Sequence, residues 1–187
     1  GRLGLKNGES KWITSAKSRS FVHKLRADFD AIIIGGNTLR KDNPLLTTRG
    51  LREIEPLRVV FTRSLNLPTE ANLWDTNLSN TLIVYDSSTA NEHNLENIPK
   101  NVSIEKVSSD NPRLLSKILA ERGCNKVLWE CGPELATSAV KEGCIQEFKT
   151  FLAPKILGGK SGMTPFTDFN FISMDEVLRL DLKDIKI

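Results

Sequence analysis

One short run of residues constrains the fold of this chain more than any other. The segment Asp30–Gly36 is apolar and mostly β-branched after its first residue, and it ends in two glycines. A continuous apolar run of this length is typical of a parallel strand that is buried on both faces. The stretch Ser15–Asp28 before it has Phe21 and Leu25 at a helical spacing of four residues. A helix that leads into a buried strand predicts an α/β fold.

The rest of the chain continues this alternation of strands and helices. The stretch Asn111–Gly123 predicts a helix with Pro112 at its first position, and Gly132–Gly143 predicts another. The segment Val177–Ile187 alternates leucines with charged residues, which predicts a half-exposed edge strand. Further strands are predicted at Leu57–Thr62, Thr81–Asp86, Val102–Val107, Lys126–Glu130 and Phe148–Pro154.

Length and composition favour one globular domain over residues 1–187, with residues 63–80 and 87–101 as polar surface loops. The net charge of +3 is spread along the chain, so we expect no nucleic-acid partner. No apolar run reaches the roughly 18 residues that a membrane helix needs, so we expect no membrane partner. Three cysteines without C-x-x-C spacing, with only two histidines, favour buried free thiols and predict no metal site.

Two predicted strand ends carry glycines that are followed by a helix. The first is Gly35-Gly36 and the second is Cys131-Gly132. Glycine lets a phosphate approach the backbone, and the start of the next helix offers unpaired N–H groups to an anion. Neither turn matches the G-x-G-x-x-G fingerprint, and glycine at such a corner also serves tight turning alone. The residues therefore leave a ligand role and a packing role open at both corners.

Charged residues surround the first of these corners. Asp42 stands before Asn43-Pro44, Arg49 follows a few residues later, and Arg26 lies on the preceding helix. A carboxylate and two guanidinium groups suit a phosphorylated, nitrogen-rich ligand. The alternative is an ordinary surface turn, in which the Asp42 carboxylate caps a nearby backbone N–H and the arginines face water.

Six segments, in the same order, resemble the reductase half of the bacterial and plant riboflavin-biosynthesis deaminase-reductases. The resemblance implies a dihydrofolate-reductase-like fold, with a mostly parallel central sheet flanked by helices. It also implies NADPH as the cofactor and 5-amino-6-(5-phosphoribosylamino)uracil as the substrate, whose ribosyl group is reduced to a ribityl chain. The segments are Gly8–Thr14, Leu25–Ala27, Thr38–Arg49, Leu57–Val60, Glu130–Leu135 and Ala153–Gly159.

The resemblance also implies a role for individual residues. Asp42 is the candidate for orienting or relaying the proton that accompanies hydride transfer. Arg63 stands where relatives usually carry serine, so we expect it either to grip the cofactor 2′-phosphate or to face water. Residues implied in substrate binding are Ser10, Arg26, Leu45, Leu46, Arg49 and Glu130. Residues implied in cofactor binding are Trp12, Thr38, Asp42, Gly132, Pro133, Glu134, Leu135, Ala136, Thr137 and Ser138.

The sequence also departs from the family. We expect the strand that relatives carry before Gly1 to be missing. The zinc motifs of the deaminase half do not occur in residues 1–187, so we also expect no deaminase activity. The family implies a homodimer in the cytoplasm, or in the plastid stroma of a plant. Three alternatives stay open: a dihydrofolate reductase, a diaminopyrimidinone reductase, and a nucleotide-binding scaffold without catalysis.

Overall fold

The computed structural model describes residues 1–159 and 162–185, and a five-stranded parallel sheet lies at its centre. The strand order is β4-β3-β2-β1-β5, and every neighbouring pair is parallel. The strands are β1 (Ala31–Gly35), β2 (Leu57–Thr62), β3 (Thr81–Asp86), β4 (Ser103–Val107) and β5 (Val127–Trp129). The helices are α1 (Ala16–Ala27), α2 (Gly36–Asp42), α3 (Pro112–Glu121) and α4 (Pro133–Lys141), with short 3-10 segments at Asn72–Trp74 and Glu92–Asn97.

Strand β1 shows why the sheet is buried on both faces. Ile32 and Ile34 pack into one apolar cluster, whereas Ala31 and Ile33 pack into a second cluster on the opposite face. All four side chains are fully buried, because strand residues alternate between the two faces and both faces are covered. The predicted α/β fold with a buried parallel strand at its centre is confirmed.

The helices begin where their capping residues stand. The Ser15 hydroxyl accepts the backbone N–H of Ser18 at the start of α1. Asn111 caps α3 in the same way, and Pro112 occupies the first helical position, where the missing N–H costs nothing. The strand predictions for β1 to β5 and the three helix predictions are correct to within two residues at each end.

The surface-loop prediction for residues 63–80 is wrong in part. Leu65, Leu73 and Trp74 are buried in the cluster that contains Ile32 and Ile34. The segment is mostly polar, and its composition did not indicate that these three apolar side chains pack against the sheet. The connection between β2 and β3 is therefore a packed part of the core.

Two strand predictions in the last quarter of the chain are wrong. Residues 148–154 and 177–185 form no strand, and residues 186 and 187 lie outside the described part. Leu152 and Leu180 are largely exposed, at 81% and 69%. Alternating hydrophobicity describes which side chains would share a face, but a strand also needs a hydrogen-bonding neighbour. Instead of a ladder, this region has edge-to-face phenylalanine contacts such as Phe148 with Phe166, whose ring centroids are 5.5 Å apart.

Two further observations concern the whole of the described chain. Within residues 1–159 and 162–185, no helix combines the length and the apolar character that crossing a bilayer requires. The three cysteines are free thiols, as predicted. They are only half-buried, whereas the prediction had them fully buried.

Candidate functional site

The carboxyl ends of β2, β1 and β5 lie side by side at one edge of the sheet, because these strands are parallel neighbours. Ligands of open α/β sheets bind beyond this edge. Arg63 follows β2, Gly36 follows β1, and Gly132 follows β5 after two residues. The two glycine turns that the sequence singled out thus belong to adjacent strands. We call residues 35–42 the β1 corner and residues 130–138 the β5 corner.

At the β1 corner, glycine is required for packing. A methyl group on Gly36 would lie 2.9 Å from Thr62 Oγ1, which is closer than side chains tolerate, and at a tight 3.2 Å from Leu67 Cδ2. The first turn of α2 therefore presses directly against the end of β2. Thr38, on the same turn, is half-buried. This corner brings α2 close to the sheet and leaves little room at Gly36 for a ligand.

Asp42 is the last residue of α2 and is exposed. Within the described residues its carboxylate accepts no hydrogen bond, so the structure gives no support to a turn-capping role. The helix is instead ended by Asn43, which is left-handed and donates its backbone N–H to Leu39 O. The Asp42 carboxylate is left available for chemistry at the end of the helix.

At the β5 corner, neither packing nor backbone conformation requires glycine. Gly132 has an ordinary φ of −73°, and an added methyl group would meet no atom within 4 Å among the described residues. It is the N-cap of α4, which begins at Pro133 and has no side-chain cap in the described structure. The first N–H groups of a helix lack partners inside that helix and carry its positive dipole end. This corner is open to an anion.

The remaining residues of the β5 corner divide into outward and inward positions. Glu134 is exposed, whereas Thr137 is buried and its hydroxyl accepts the backbone N–H of Thr167 at 2.8 Å. Leu135 reaches toward the neighbouring corner, since its Cδ2 would lie 3.8 Å from a methyl group on Gly35. Burial raises the pKa of the Cys131 thiol to about 12, so this thiol stays protonated at neutral pH.

Arg26 and Glu130 form a bidentate ion pair. Arg26 Nε donates to Glu130 Oε1 at 2.7 Å, and Nη2 donates to Oε2 at 2.8 Å. The side chains are 12% and 23% exposed, so water screens the pair only in part. Arg26 Nη1 also donates to the carbonyl oxygen of Thr47 at 3.1 Å. The pair thereby connects helix α1, the end of β5 and the loop that follows α2.

That loop carries three of the predicted substrate residues. Leu45 is half exposed, Leu46 is buried at 2%, and Arg49 is exposed. Leu46 and Arg49 have positive φ angles of 53° and 60°, a conformation that few residues other than glycine adopt. Thr48, between them, is fully buried and bonds to Glu55. Burial and hydrogen bonds therefore give this loop a defined conformation.

The predicted residue Trp12, near the start of the chain, contacts helix α1 and the segment that contains Lys155. Trp12 is 64% exposed, with the Arg19 guanidinium 4.2 Å from its ring centroid, and its carbonyl oxygen accepts Lys155 Nζ at 2.6 Å. Ser10 is exposed nearby in sequence. A cavity of about 270 Å³ lies between residues 13–18 and 152–155. The structure thus brings the first and last of the six resembling segments together.

A larger cavity of about 580 Å³ is lined by residues 5–7, 157–159 and Gly162. Neither cavity is lined by Asp42 or by the Arg26–Glu130 pair. The bidentate Arg26–Glu130 pair lies instead at the sheet edge, beyond which ligands of open α/β sheets bind.

Arg63 lies between two carboxylates. Its Nε is 3.7 Å from Asp110 and its Nη2 is 3.3 Å from Glu134, and the Arg63 side chain is 63% exposed. The expectation that Arg63 faces water is therefore met in part, and the guanidinium also reaches the β5 corner. Whether it binds a phosphate stays a prediction.

Sequence reasoning missed three groups that hold the site. Glu55 bonds Thr48, Asn72 bonds Asn43, and the His23 ring lies 3.0 Å from the carbonyl oxygen of Thr47 through Nδ1. None of them belongs to a motif or falls at a periodic spacing. Asn72 lies in a segment predicted as a polar loop, but the sequence does not indicate that Asn43 is its hydrogen-bonding partner.

Comparison with known proteins identifies the family of the chain. The sequence model of the family described as "RibD C-terminal domain" matches residues 1–187. The chain belongs to this family. The resemblance of the six segments to a riboflavin-biosynthesis reductase domain is thus confirmed, and a dihydrofolate reductase is disfavoured as the identity of the chain.

Several riboflavin biosynthesis proteins are similar over nearly the whole chain. Riboflavin biosynthesis protein RibD of Synechocystis sp. is 42% identical over 182 residues, which are 96% of this chain and 49% of that protein. The chloroplastic riboflavin biosynthesis protein PYRR of Arabidopsis thaliana is 37% identical over 180 residues, which are 96% of this chain and 30% of that protein. The chain spans half or less of the length of these relatives.

A solved structure supports the fold. RibD of Acinetobacter baumannii superposes with a TM-score of 0.75 at 27% identity, covering 98% of this chain and 51% of that one. The dihydrofolate-reductase-like, mostly parallel architecture expected for a RibD C-terminal domain is therefore confirmed. The sheet order described above is the form that this fold takes in the described residues.

Proposed function

We propose that the chain catalyses the NADPH-dependent reduction of the ribosyl group of 5-amino-6-(5-phosphoribosylamino)uracil to the ribitylamino compound. Family membership supports a reductase of riboflavin biosynthesis. The observation that carries the proposal is the open glycine of the β5 corner, Gly132, which lies two residues after Glu130 of the Arg26–Glu130 pair. A site for an anion beside a paired guanidinium and carboxylate fits a pyrophosphate cofactor and a phosphorylated pyrimidine.

The cofactor would be held at the β5 corner. NADPH supplies the hydride when it is bound, and the chain supplies position and charge. The backbone N–H groups of Gly132, Glu134 and Leu135 would receive the pyrophosphate, because a glycine with open space in front of it admits a close approach. Pro133, Ala136, Thr137 and Ser138 would line the cofactor beside them. Trp12, Thr38, Asp42 and Arg63 would line the rest of the cofactor.

The substrate would be held by charged groups and by the loop after α2. Glu130 would accept N–H groups of the pyrimidine edge, since a carboxylate only accepts hydrogen bonds. Arg26 and Arg49 would bind the phosphate, with Ser10 and the backbone of Leu45 and Leu46 beside them. Arg26 and Glu130 satisfy one another in the described structure, so substrate binding would exchange this ion pair for contacts with the ligand.

Asp42 would orient or deliver the proton that balances hydride addition at ribose C1. A ring-opened carbonyl or imine at C1 gains the hydride at carbon and the proton at oxygen or nitrogen. The exposed carboxylate at the end of α2 makes no competing hydrogen bond within the described residues, which fits this role. Its neighbours in the β1 corner hold the helix firmly against β2.

The chain would work as a homodimer, in the cytoplasm or in the plastid stroma of a plant. The support is the exposed apolar surface in the last quarter of the chain, where Leu152, Ile172 and Met174 are each at least 79% exposed. Sedimentation equilibrium of the purified chain tests this part. A monomer at every concentration would contradict it.

Turnover is the decisive experiment. The purified chain is incubated with NADPH and 5-amino-6-(5-phosphoribosylamino)uracil, and NADPH consumption is followed together with formation of the ribitylamino product. We expect turnover, a higher kcat/KM with NADPH than with NADH, and a loss of kcat/KM with the dephosphorylated substrate. NADPH binding without turnover would favour the non-catalytic scaffold, and equal use of both cofactors would contradict the assignment of NADPH.

A further inference from the structure

The loop of residues 43–49 departs from ordinary backbone geometry at three positions. Asn43, Leu46 and Arg49 have φ angles of 39°, 53° and 60°. Left-handed backbone is unfavourable for most residues other than glycine, and it persists only where surrounding contacts impose it. Burial of Leu46 fixes the middle of the loop. The two ends need restraints of their own.

Glu55 restrains the end that carries Arg49. The backbone N–H of Thr48 donates to Glu55 Oε2 at 2.7 Å, and the Thr48 hydroxyl donates to Oε1 at 2.6 Å. Thr48 is fully buried, so removal of Glu55 would leave a buried N–H without an acceptor. One carboxylate thus accepts both hydrogen-bond donors of the residue that directly precedes Arg49.

Asn72 restrains the opposite end through Asn43. The backbone N–H of Asn72 donates to Asn43 Oδ1 at 2.8 Å, and Asn72 Nδ2 donates to the carbonyl oxygen of Asn43 at 2.7 Å. Each residue therefore uses both its side chain and its backbone. This reciprocal pair holds the left-handed residue that joins Asp42 to the loop.

The support behind Asn72 is firm. Asn72 begins the 3-10 segment whose next two residues, Leu73 and Trp74, are buried in the core. The fully buried Arg58 of β2 donates through Nη2 to the carbonyl oxygens of Leu73, at 3.0 Å, and Asp75, at 2.8 Å. The side chain of Asn72 is thus exposed, but the backbone that follows it is held by the core. Asn72 can therefore fix the position of Asn43.

We infer that Glu55 and Asn72 are positioning residues that preset the 43–49 loop for the substrate. The inference rests on the proposed function, in which Leu45, Leu46 and Arg49 contact the substrate. A preset loop loses less conformational freedom when the ligand binds, so affinity depends on the restraints. Cofactor binding at the β5 corner does not involve this loop and should be independent of both residues.

Steady-state kinetics and NADPH titration of single variants test the inference. Glu55→Ala and Asn72→Ala should each raise the substrate KM by about tenfold, the effect of one or two hydrogen bonds, and leave the NADPH dissociation constant unchanged. Glu55→Gln should restore most of the affinity. Its amide oxygen can accept the Thr48 N–H while its NH₂ donates to the hydroxyl, which serves equally as donor or acceptor.

Matched controls come from the same two connections. Glu53 and Asn77 are exposed, and within the described residues neither side chain forms a hydrogen bond or an ion pair. Glu53→Ala and Asn77→Ala should behave like the unchanged chain. A substrate KM that stays constant in Glu55→Ala and Asn72→Ala, or that rises equally in the two controls, would overturn the inference.

Amide hydrogen exchange separates this inference from the proposed function. Exchange of the amides of residues 45–49 should be faster by about tenfold in Glu55→Ala and in Asn72→Ala, and unchanged in Glu53→Ala and in Asn77→Ala. Unchanged exchange would overturn the inference even if the chain turns over substrate. Lack of turnover in the unchanged chain would overturn the proposed function, and exchange would then test by itself whether Glu55 and Asn72 hold the loop.

Discussion

The β1 corner and the β5 corner each contain a glycine between the end of a strand and the start of a helix. A methyl group added to that glycine would be crowded in the β1 corner and would have open space in the β5 corner. On Gly36 it would lie 2.9 Å from the Thr62 hydroxyl oxygen, whereas on Gly132 it would meet no described atom within 4 Å. Neither glycine has a positive φ angle. The glycine of the β1 corner therefore serves helix–strand contact, and that of the β5 corner leaves the helix start accessible.

The comparison teaches that a glycine at a strand-to-helix turn has no single meaning. Tight packing and ligand access both select the smallest side chain, and only the surroundings distinguish them. The charges follow the same division. The β1 corner ends in Asp42, whose carboxylate is exposed, while the β5 corner begins with Glu130, whose carboxylate is held by Arg26. Each of the following variants changes one corner and leaves the other intact.

The largest effect is expected from Asp42→Asn in the β1 corner. Asn keeps the shape of the side chain but cannot exchange a proton, so kcat should fall by about a hundredfold. The protein should remain folded and bind NADPH normally, because Asp42 accepts no hydrogen bond within the described residues.

A near-normal kcat in Asp42→Asn would show that the proton comes from water. Asp28→Asn is a matched control, since Asp28 is exposed and caps the C-terminus of α1 through its backbone N–H alone. That control should retain full activity.

Gly36→Ala should test the packing role of the same corner. Crowding against Thr62 and Leu67 should destabilise the fold by about 1–3 kcal/mol, measured by denaturant unfolding. Gly35→Ala is the control, because its added methyl group would make an ordinary contact of 3.8 Å with Leu135. Equal stability of the two variants would mean that α2 can move away from β2 without cost.

Gly132→Ser should have the opposite pattern in the β5 corner. Serine is a good N-cap and has room here, so stability should stay constant or rise by about 0.5 kcal/mol. The new side chain would occupy the approach to the helix start, and NADPH affinity should fall by about tenfold, the loss of one charge-assisted hydrogen bond. Unchanged NADPH affinity together with normal stability would remove the cofactor from this corner.

The sequence predicted the sheet well, since its strands are defined by their own side chains. Ala31–Gly35 is apolar on both faces and would be buried in any α/β arrangement. The strand prediction for Phe148–Pro154 failed for a reason that the correct strand predictions do not reveal. Alternation specifies faces, but pairing depends on a neighbouring strand that local sequence does not reveal.

The candidate site was predictable where a family motif covers it. Arg26 and Glu130 were expected in one site from their segments, but their mutual ion pair was not, because each was assigned to a ligand. Glu55 and Asn72 lay outside the motifs altogether. Their bonds join residues 7 and 29 positions apart, and such separations follow from the folded path of the chain, not from any period.

The smallest effect is expected from Arg63→Gln, which tests whether β2 contributes a charge to the β5 corner. Arg63 pairs with Glu134 of that corner and with Asp110, and all three side chains are at least half exposed. Exposed ion pairs contribute about 1 kcal/mol or less, so unfolding stability should hardly change. If Arg63 meets the cofactor 2′-phosphate, kcat/KM with NADPH should fall by at most about fivefold.

The same variant should leave kcat/KM with NADH unchanged, because NADH has no 2′-phosphate. Arg122→Gln provides the control, since Arg122 also forms a surface ion pair, with Glu105 of β4. Its cofactor preference should equal that of the unchanged chain. Equal losses with NADPH and NADH in Arg63→Gln would mean that Arg63 holds Glu134 and the start of α4 in place. A loss confined to NADPH would extend the β5 corner to the end of β2, so that three strand ends and not two form the cofactor site.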